Sequence, residues 1–258
     1  MKKNPFKKTL LDNGVVLVTE SLPHFQSLAV GVWVSAGTRH ENDEEEGLSH
    51  FLEHMMFKGT EKRSALEIAQ AIDRVGGDFN AFTSREYTCF HILLLGRDLK
   101  LAVDVLSDVL LNSKFDSDEI EREKKVVLQE ISMIEDNPEE YVHDVFFEQA
   151  YGKHPLGKAI LGTKESVASF DRSKVVSYFR KHYSPEKLII SLAGDIDQDE
   201  VHRMLNRTIG AKLTKTSRNK VKVQAPKLKS GSKTLKQHGE QSQIVLGFPF
   251  LPVNHSGR

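Results

Sequence analysis

Two histidines stand four residues apart in the run His50-Phe51-Leu52-Glu53-His54, and a glutamate directly precedes the second. On a helix, positions i and i+4 lie on the same face, so both imidazoles can reach one metal ion. Glu53 points toward the same volume, where a carboxylate can act as a general base. This inverted order of histidines and glutamate is a zinc hydrolase signature. We therefore predict that His50 and His54 bind zinc and that Glu53 is catalytic, the alternative being two surface histidines on a helix.

The residues around the motif predict a helix with one buried face. Leu48, Phe51, Leu52 and Met55 follow the i, i+3, i+4, i+7 spacing of an apolar stripe, while the motif occupies a different face. Such a helix can pack one side into a core and present the other to a metal ion. The acidic run 41–46 just upstream is interpreted as a solvated loop and first turn, where negative charge is favourable.

A catalytic zinc ion usually takes three protein ligands, so a third must come from elsewhere in the chain. Glu123 and Glu130 lie seven residues apart, two turns along one face of a predicted helix. Close to that face runs an apolar stripe formed by Ile120, Val127, Ile131 and Ile134. A carboxylate near a buried stripe needs a partner, and a metal ion is a suitable one. On the residues alone, solvated glutamates on a highly charged helix remain the alternative.

Taken together, these segments resemble the N-terminal half of the pitrilysin/insulinase and mitochondrial processing peptidase family. Here 75 residues separate His54 from Glu130, and Glu123 stands seven positions before Glu130, as in that family. The resemblance implies that His50, His54 and Glu130 bind one Zn²⁺ ion. It also implies that Glu53 is the general base and that Glu123 orients a ligand histidine, as metal-bound histidines usually require.

The segment 76–88 resembles the stretch that this family places beside the zinc ion. There an edge strand pairs with the backbone of an extended peptide and so continues the sheet. The resemblance implies a peptide or an unfolded polypeptide as the substrate, bound by Asn80, Ala81, Phe82 and Thr83. The alternative is an ordinary edge strand that binds nothing.

Apolar periodicity and turn residues predict an α+β fold, a largely antiparallel sheet flanked by helices, of the processing-peptidase type that the resemblance implies. Asp12-Asn13-Gly14 is typical of a β-hairpin turn. The further predicted strands are 28–35, 79–83, 87–95, 188–193 and 243–248. Beyond the motif helix, the predicted helices are 64–75, 99–111, 117–135, 139–150, 173–182 and 198–206.

Three parts are expected along the chain: a zinc-binding catalytic domain at 1–210, a basic linker at 211–238, and the truncated start of a second homologous domain at 239–258. The family places an Arg and a Tyr of its second half near the substrate carbonyl. No position here inherits those roles, so the sequence predicts a zinc site but does not predict activity of this chain by itself. The chain is therefore expected to be the N-terminal half of a longer protein.

The composition, with 39% hydrophobic and 28% charged residues, is ordinary for a soluble globular protein. No run of 18 apolar residues occurs, and no secretory or transit segment is evident, so we expect a cytoplasmic protein without a membrane partner. A single cysteine, Cys89, fits a reducing compartment. From Ala211 to Arg258, ten Lys or Arg stand against one acid. Because aromatic residues are not interleaved in its linker part, we expect a solvated linker and no nucleic-acid partner.

Three functions are compatible with these residues. The favoured one is a zinc endopeptidase, and the family resemblance also allows a homodimer or a pair of subunits. The second is a non-catalytic scaffold or partner subunit, although such relatives typically lack part of the motif. The third is a chemistry like that of S-ribosylhomocysteinase, in which a cysteine is the third ligand. Only Cys89 could serve there, 35 residues past His54 and within a predicted strand.

Overall fold

The computed structural model describes residues 5–214, 225–237, 241–252 and 255. A sheet of six strands crosses its centre in the order β1-β2-β6-β3-β5-β4. The strands are β1 (Phe6–Leu10), β2 (Val16–Ser21), β3 (Ser27–Val34), β4 (Asp78–Thr83), β5 (Thr88–Leu95) and β6 (Leu188–Gly194). β2 and β6 run parallel, and the other pairs are antiparallel. The strand latest in sequence therefore joins the β1–β2 hairpin to the other three strands.

The helices precede, separate and follow the later strands. They are α1 (Leu48–Met56), α2 (Ala65–Asp73), α3 (Leu99–Asn112), α4 (Ser117–Asp136), α5 (Pro138–Tyr151), α6 (Lys164–Ala168), α7 (Arg172–His182) and α8 (Gln198–Leu205). Asn137 ends α4 and caps α5, where Pro138 takes the first helical position, which needs no N–H donor. Within the described residues, no helix combines the length and the apolar character that crossing a bilayer requires.

One face of the sheet is buried and the other is largely open. Along β3, Leu28, Val30, Val32 and Val34 are at most 2% exposed, in the period-two pattern of a strand with one covered face. Helices α1 and α3 pack on that covered side. The opposite face holds a shallow groove of about 300 Å³, lined among others by Ala29, Gly31, Trp33, Phe82, His91 and Ser191.

The predicted α+β class with a mostly antiparallel sheet is confirmed. Every predicted strand and helix up to residue 206 is present, with bounds that differ from the prediction by at most two residues. Helix α6 was not predicted because its five residues are too few to show a helical period.

The region after α8 differs from the sequence prediction. Residues 241–252 form neither helix nor strand, so the strand predicted at 243–248 is wrong. A strand needs a partner strand to complete its hydrogen-bond ladder, and within the described ranges no backbone hydrogen bond joins this segment to another strand. Ile244, Leu246 and Phe248 are accordingly 80–85% exposed.

Part of the predicted basic linker lies along α5. The backbone N–H of Lys229 donates to the carbonyl of Ala150 over 2.8 Å, and Lys233 pairs with Glu148 over 2.6 Å. The linker residues 215–224 and 238 lie outside the described residues. The boundaries at 210 and 238 remain predictions.

Candidate metal centre

Helix α1 carries the motif and is fixed by its apolar face. It begins after Gly47, whose φ of 84° is left-handed and whose Cβ, if present, would collide with the carbonyl of Leu161. Phe51 and Leu52 are fully buried. The Phe51 ring packs edge-on against Phe170 with ring centroids 5.2 Å apart. This burial directs the histidines and Glu53 to the other side of the helix.

Glu41 holds the first turn of α1 from outside the motif. It is 3% exposed, and its oxygens accept hydrogen bonds from the N–H groups of Gly47 (2.9 Å) and Ser49 (2.7 Å). The predicted solvated loop is therefore wrong at Glu41, because the first N–H groups of a helix need acceptors. Burial raises the pKa of Glu41 to about 7, against the opposing effect of these hydrogen bonds. Asp43 and Glu44 are exposed, as predicted.

Glu130, on α4, meets the two histidines of α1. Its Oε2 atom lies 3.9 Å from His50 Nε2 and 3.7 Å from His54 Nε2. The imidazole centroids are 4.5 Å apart, and one potential ligand atom from each of the three residues lies within 4.8 Å of the others. The fold thus brings together the three residues predicted as ligands, and their binding of a metal remains a prediction.

Glu123, two helical turns before Glu130 on α4, contacts His54. Its side chain is 4% exposed, and Oε1 lies 2.8 Å from His54 Nδ1. When His54 donates its Nδ1–H to this oxygen, its Nε2 lone pair points toward Glu130. Burial raises the pKa of Glu123, but hydrogen bonds from His54 and Lys58 outweigh it and hold the pKa below its usual value. Glu123 therefore contacts a predicted ligand histidine, and its role in orienting His54 remains a prediction.

The two histidines differ in their affinity for a proton. Burial, and then the neighbouring charge of His54, lower the pKa of His50 to about 3. Burial also lowers the pKa of His54, but its hydrogen bond to Glu123 and the negative charges of Glu130 and Glu123 raise it more. The net result is a raised pKa for His54. Because metal ions bind the neutral imidazole, a bound cation would take the place of that proton.

The donor set fits a zinc ion. Two imidazole nitrogens, one carboxylate oxygen and a fourth position left for water are typical of catalytic zinc. Tetrahedral bonds of about 2.0–2.1 Å place ligand atoms about 3.3–3.4 Å apart. The distances of 3.7 and 3.9 Å here need only a small inward movement. Glu130 Oε2 is buried and has no hydrogen-bond partner among the described residues, a costly state that a cation relieves.

Glu53 joins this group to the edge of the sheet. Its carboxylate accepts a hydrogen bond from the hydroxyl of Thr83, the last residue of β4. Burial raises the pKa of Glu53, with a further rise from Glu130, while Thr83 and the charge of His54 oppose it. A raised pKa makes a carboxylate a better proton acceptor in the range where catalysis operates.

β4 is the outermost strand, and within the described residues no other strand pairs with its outer edge, which lies beside Glu53. Along two antiparallel strands, residue pairs that exchange backbone hydrogen bonds alternate with pairs that do not. Counted from the hydrogen bond that closes the β4–β5 turn, Phe79, Ala81 and Thr83 do not bond to β5 and direct their backbone N–H and C=O groups to the outer edge. The N–H of Ala81 is already bonded, over 2.8 Å, to the side-chain oxygen of Asn80. The edge is therefore partly occupied by the chain's own amide.

The Phe82 side chain lies on the open face of the sheet and not at the β4 edge. It is 40% exposed and packs edge-on against Trp33, with ring centroids 6.1 Å apart. The four predicted substrate residues are therefore not equivalent. Ala81 and Thr83 offer backbone groups at the edge, whereas Asn80 and Phe82 place side chains on the open face. Their binding of a substrate remains a prediction.

Comparison with known sequences decides the family. Residues 16–164 match the profile described as insulinase (peptidase family M16), and residues 169–257 match that of the peptidase M16 inactive domain. The chain belongs to peptidase family M16. The resemblance seen in the motifs is thereby confirmed. The second match includes β6, which lies in the middle of the sheet between β2 and β3. Strands from both matched regions therefore belong to one sheet.

Relatives of this M16 chain are longer than it is. It is 42% identical over 249 residues to the uncharacterized zinc protease YmxG of Bacillus subtilis, covering 96% of this chain and 60% of YmxG. It is 39% identical to the uncharacterized zinc protease Rv2782c of Mycobacterium tuberculosis, covering 93% of this chain and 56% of Rv2782c. A solved protease from Helicobacter pylori shares the fold with a TM-score of 0.80 at 23% identity, covering 87% of this chain and 54% of that one.

Two basic residues near the site were missed in the sequence. Lys58 pairs with Glu123 over 2.6 Å, and its place four residues after His54 was the available signal. Arg85, in the β4–β5 turn, pairs with Asp144 of α5, 59 residues away. Its guanidinium lies 3.6 Å from the centre of the Phe147 ring. No local pattern marks a contact over that separation.

Cys89 does not join the metal-ligand group. It is 1% exposed in β5, and burial raises the pKa of its thiol to about 12. Within the described residues, the cluster of ligand-type side chains contains His50, His54 and Glu130 without it. The geometry therefore favours a carboxylate as the third ligand over a cysteine.

Proposed function

We propose that this chain is the zinc-binding part of a metalloendopeptidase that hydrolyses extended peptides or unfolded protein segments. The observation that carries the proposal is the approach of Glu130 Oε2 to within 3.7 and 3.9 Å of two imidazole nitrogens, next to Glu53. The naming of relatives as zinc proteases supports it. The cofactor proposed is one Zn²⁺ ion.

Each residue of the site has a distinct task in this proposal. His50, His54 and Glu130 hold the ion, and Glu123 keeps His54 oriented. A bound zinc ion supplies Lewis-acid activation of water and of a carbonyl group. Glu53 takes a proton from the attacking water and delivers it to the leaving amine nitrogen. The Thr83 hydroxyl fixes one oxygen of Glu53 during this transfer.

The free edge of β4 is the proposed substrate site. An extended peptide would pair with the backbone groups of Ala81 and Thr83 and so reach Glu53 from the side. Asn80 and Phe82 would flank it from the open face of the sheet. Pairing through backbone groups requires an extended substrate and leaves little side-chain preference, which favours unfolded segments over folded proteins.

We further propose that residues 1–210 form the zinc-binding domain, that 211–238 link it, and that 239–258 begin a second homologous domain. The greater length of the relatives supports a second domain. The second family match runs from residue 169 to residue 257 and crosses both proposed boundaries, so it does not mark them. In a homodimer or a pair of subunits, the second chain would take the place of the second domain beside the zinc site. A scaffold subunit needs neither a base nor three ligands, so the complete set favours an enzyme.

Metal analysis tests the proposal most directly. We expect one zinc ion per chain after dialysis against metal-free buffer, and loss of that ion in Glu130→Gln. Glu121→Gln, at a glutamate of α4 whose side chain is 67% exposed, is the matched control and should keep the ion. Cleavage of an unfolded polypeptide is then measured on this chain and on a version extended to the length of its relatives. A folded protein that binds no zinc would contradict the proposal and favour the scaffold.

A further inference from the structure

The carboxylate of Glu123 lies between two different donors. Oε1 is 2.8 Å from His54 Nδ1, and Oε2 is 2.6 Å from Lys58 Nζ. The Glu123 side chain is 4% exposed, so its carboxylate is largely shielded from water while both partners are in place. Within the described residues, its ion pairs are these two. Each oxygen therefore has its own donor, and the carboxylate cannot rotate without losing one of them.

Lys58 is the full positive charge in this arrangement. A histidine that binds a metal through Nε2 is neutral and offers only an N–H at Nδ1. The buried negative charge of Glu123 then requires a cation from elsewhere, since an unpaired buried charge is strongly unfavourable. Neighbouring Lys124 does not supply it, because its ammonium pairs with Glu121 on the outer side of α4.

Lys58 is well placed to transmit this constraint to the motif helix. α1 ends at Met56, and the backbone N–H of Lys58 still donates to the carbonyl of Met55 over 3.2 Å. The Lys58 side chain then reaches across to α4. The ion pair therefore connects the end of the helix that carries both histidines to the helix that carries Glu130.

We propose that Lys58 is a positioning residue for metal binding, which locks Glu123 so that His54 keeps its proton on Nδ1 and presents Nε2 to the metal. This inference rests on the proposed zinc site. Without the ammonium, Glu123 Oε2 lacks its donor, the carboxylate turns to find another, and the hydrogen bond that fixes the tautomer and the ring of His54 is lost.

The loop that holds Lys58 has other anchors, so a variant at this position should fold. The hydroxyl of Thr60 donates to Asp108 over 2.8 Å, and Arg63 pairs with the same buried carboxylate over 2.7 Å. Replacement of Lys58 by methionine preserves much of the apolar stem and removes the charge. Lys62, exposed in the same loop, gives a matched control.

The test compares zinc dissociation constants by chelator competition. We expect Lys58→Met and Glu123→Gln each to weaken binding by about 10- to 100-fold, the usual effect of losing a residue that orients a ligand. Lys58→Arg should recover most of the affinity, and Lys62→Met should bind as the wild type does. Thermal unfolding of the metal-free proteins shows whether each variant is folded.

The tautomer of His54 is a readout that a purely structural role would not change. In metal-free protein at alkaline pH, ¹⁵N-detected NMR should show the proton on Nδ1 in the wild type and in Lys58→Arg, and a mixture of tautomers in Lys58→Met. If Lys58→Met keeps the zinc affinity and the His54 tautomer of the wild type while Glu123→Gln binds zinc more weakly, this inference is overturned and the proposed function stands. Absence of zinc binding by the wild type would instead refute the proposed function. If Lys58→Met does not fold, a wild-type tautomer in Lys58→Gln would overturn the inference, and a mixed one would support it.

Discussion

The two faces of α1 differ in how fully their atoms are satisfied. On the apolar face, Leu48, Phe51 and Leu52 are completely buried against the core. On the opposite face, which carries the motif and which we call the cleft face, His50 and His54 are partly exposed. The nearby Oε2 atom of Glu130 is buried without a donor among the described residues. The same nine-residue helix thus has one complete interface and one incomplete interface.

This difference separates two tasks. The apolar face fixes where the helix lies, because close-packed side chains leave it one position. The cleft face leaves polar atoms that no other described residue pairs, which lowers stability and favours the binding of a cation. Variants on the apolar face should therefore affect folding, and variants on the cleft face should affect metal binding and catalysis.

Glu53→Gln should give the largest effect and the sharpest separation of the two faces. We expect turnover to fall by up to about 10⁴-fold, since the amide cannot accept the proton, whereas zinc content and unfolding free energy stay near wild type. Peptide cleavage and metal analysis on the same samples, with the chain extended to its relatives' length, check this. Undiminished turnover would remove Glu53 from the role of base.

Leu52→Ala should show the opposite pattern. Truncation of this fully buried side chain should lower the unfolding free energy by about 2–5 kcal/mol, through lost burial and a residual cavity. The fraction that remains folded should bind zinc as before. The matched control is Leu66→Ala at a residue that is 65% exposed, where we expect a change within about 0.5 kcal/mol. Denaturant unfolding measures both, and equal effects would break the distinction between buried and exposed positions.

Glu41 gives a pH-dependent effect at the start of the same helix. Its pKa of about 7 in the folded protein lies above the ordinary 4.5, so the folded state holds its proton longer. The protonated carboxyl of Glu41 therefore stabilises the folded state. This contribution, up to about 3 kcal/mol, is complete below about pH 4.5 and is lost as the pH rises through about 7.

The measurement compares the unfolding free energy of the wild type with that of Glu41→Gln across this pH range. The difference between them should decline as the pH rises, because the amide does not titrate. Glu44→Gln, at an exposed residue of the same loop, is the control and should follow the wild type. A difference independent of pH would place the Glu41 titration outside this window.

Asn80→Ala should give the smallest effect, at the edge strand beside the cleft face. The Asn80 side chain competes with a substrate carbonyl for the N–H of Ala81. Removing it should lower KM by a few-fold, the equivalent of about 1 kcal/mol for one hydrogen bond, with kcat nearly unchanged. Steady-state kinetics on an unfolded substrate check this. A raised KM would instead make Asn80 a direct ligand of the peptide.

Local patterns made much of this structure predictable. The spacing of apolar residues located α1 and α4, and the family spacing placed Glu130 opposite His50 and His54. Contacts between distant segments were not predictable in the same way. Glu41 was assigned to a solvated loop. Its burial depends on two backbone N–H donors that only the folded turn brings to it, and the sequence does not show them. The strand at 243–248 was predicted from a short apolar segment, although such a segment supplies no hydrogen-bonding neighbour.

The central place of β6 has a consequence for how this protein is made. Residues 188–194 are the bridge between the β1–β2 hairpin and the β3–β5–β4 group, so neither part can join the other until that late segment has left the ribosome. Assembly of the sheet is therefore dominated by non-local pairing, which slows folding. Until then the nascent chain has two additional unpaired strand edges, at β2 and β3, where contact with other chains leads to aggregation.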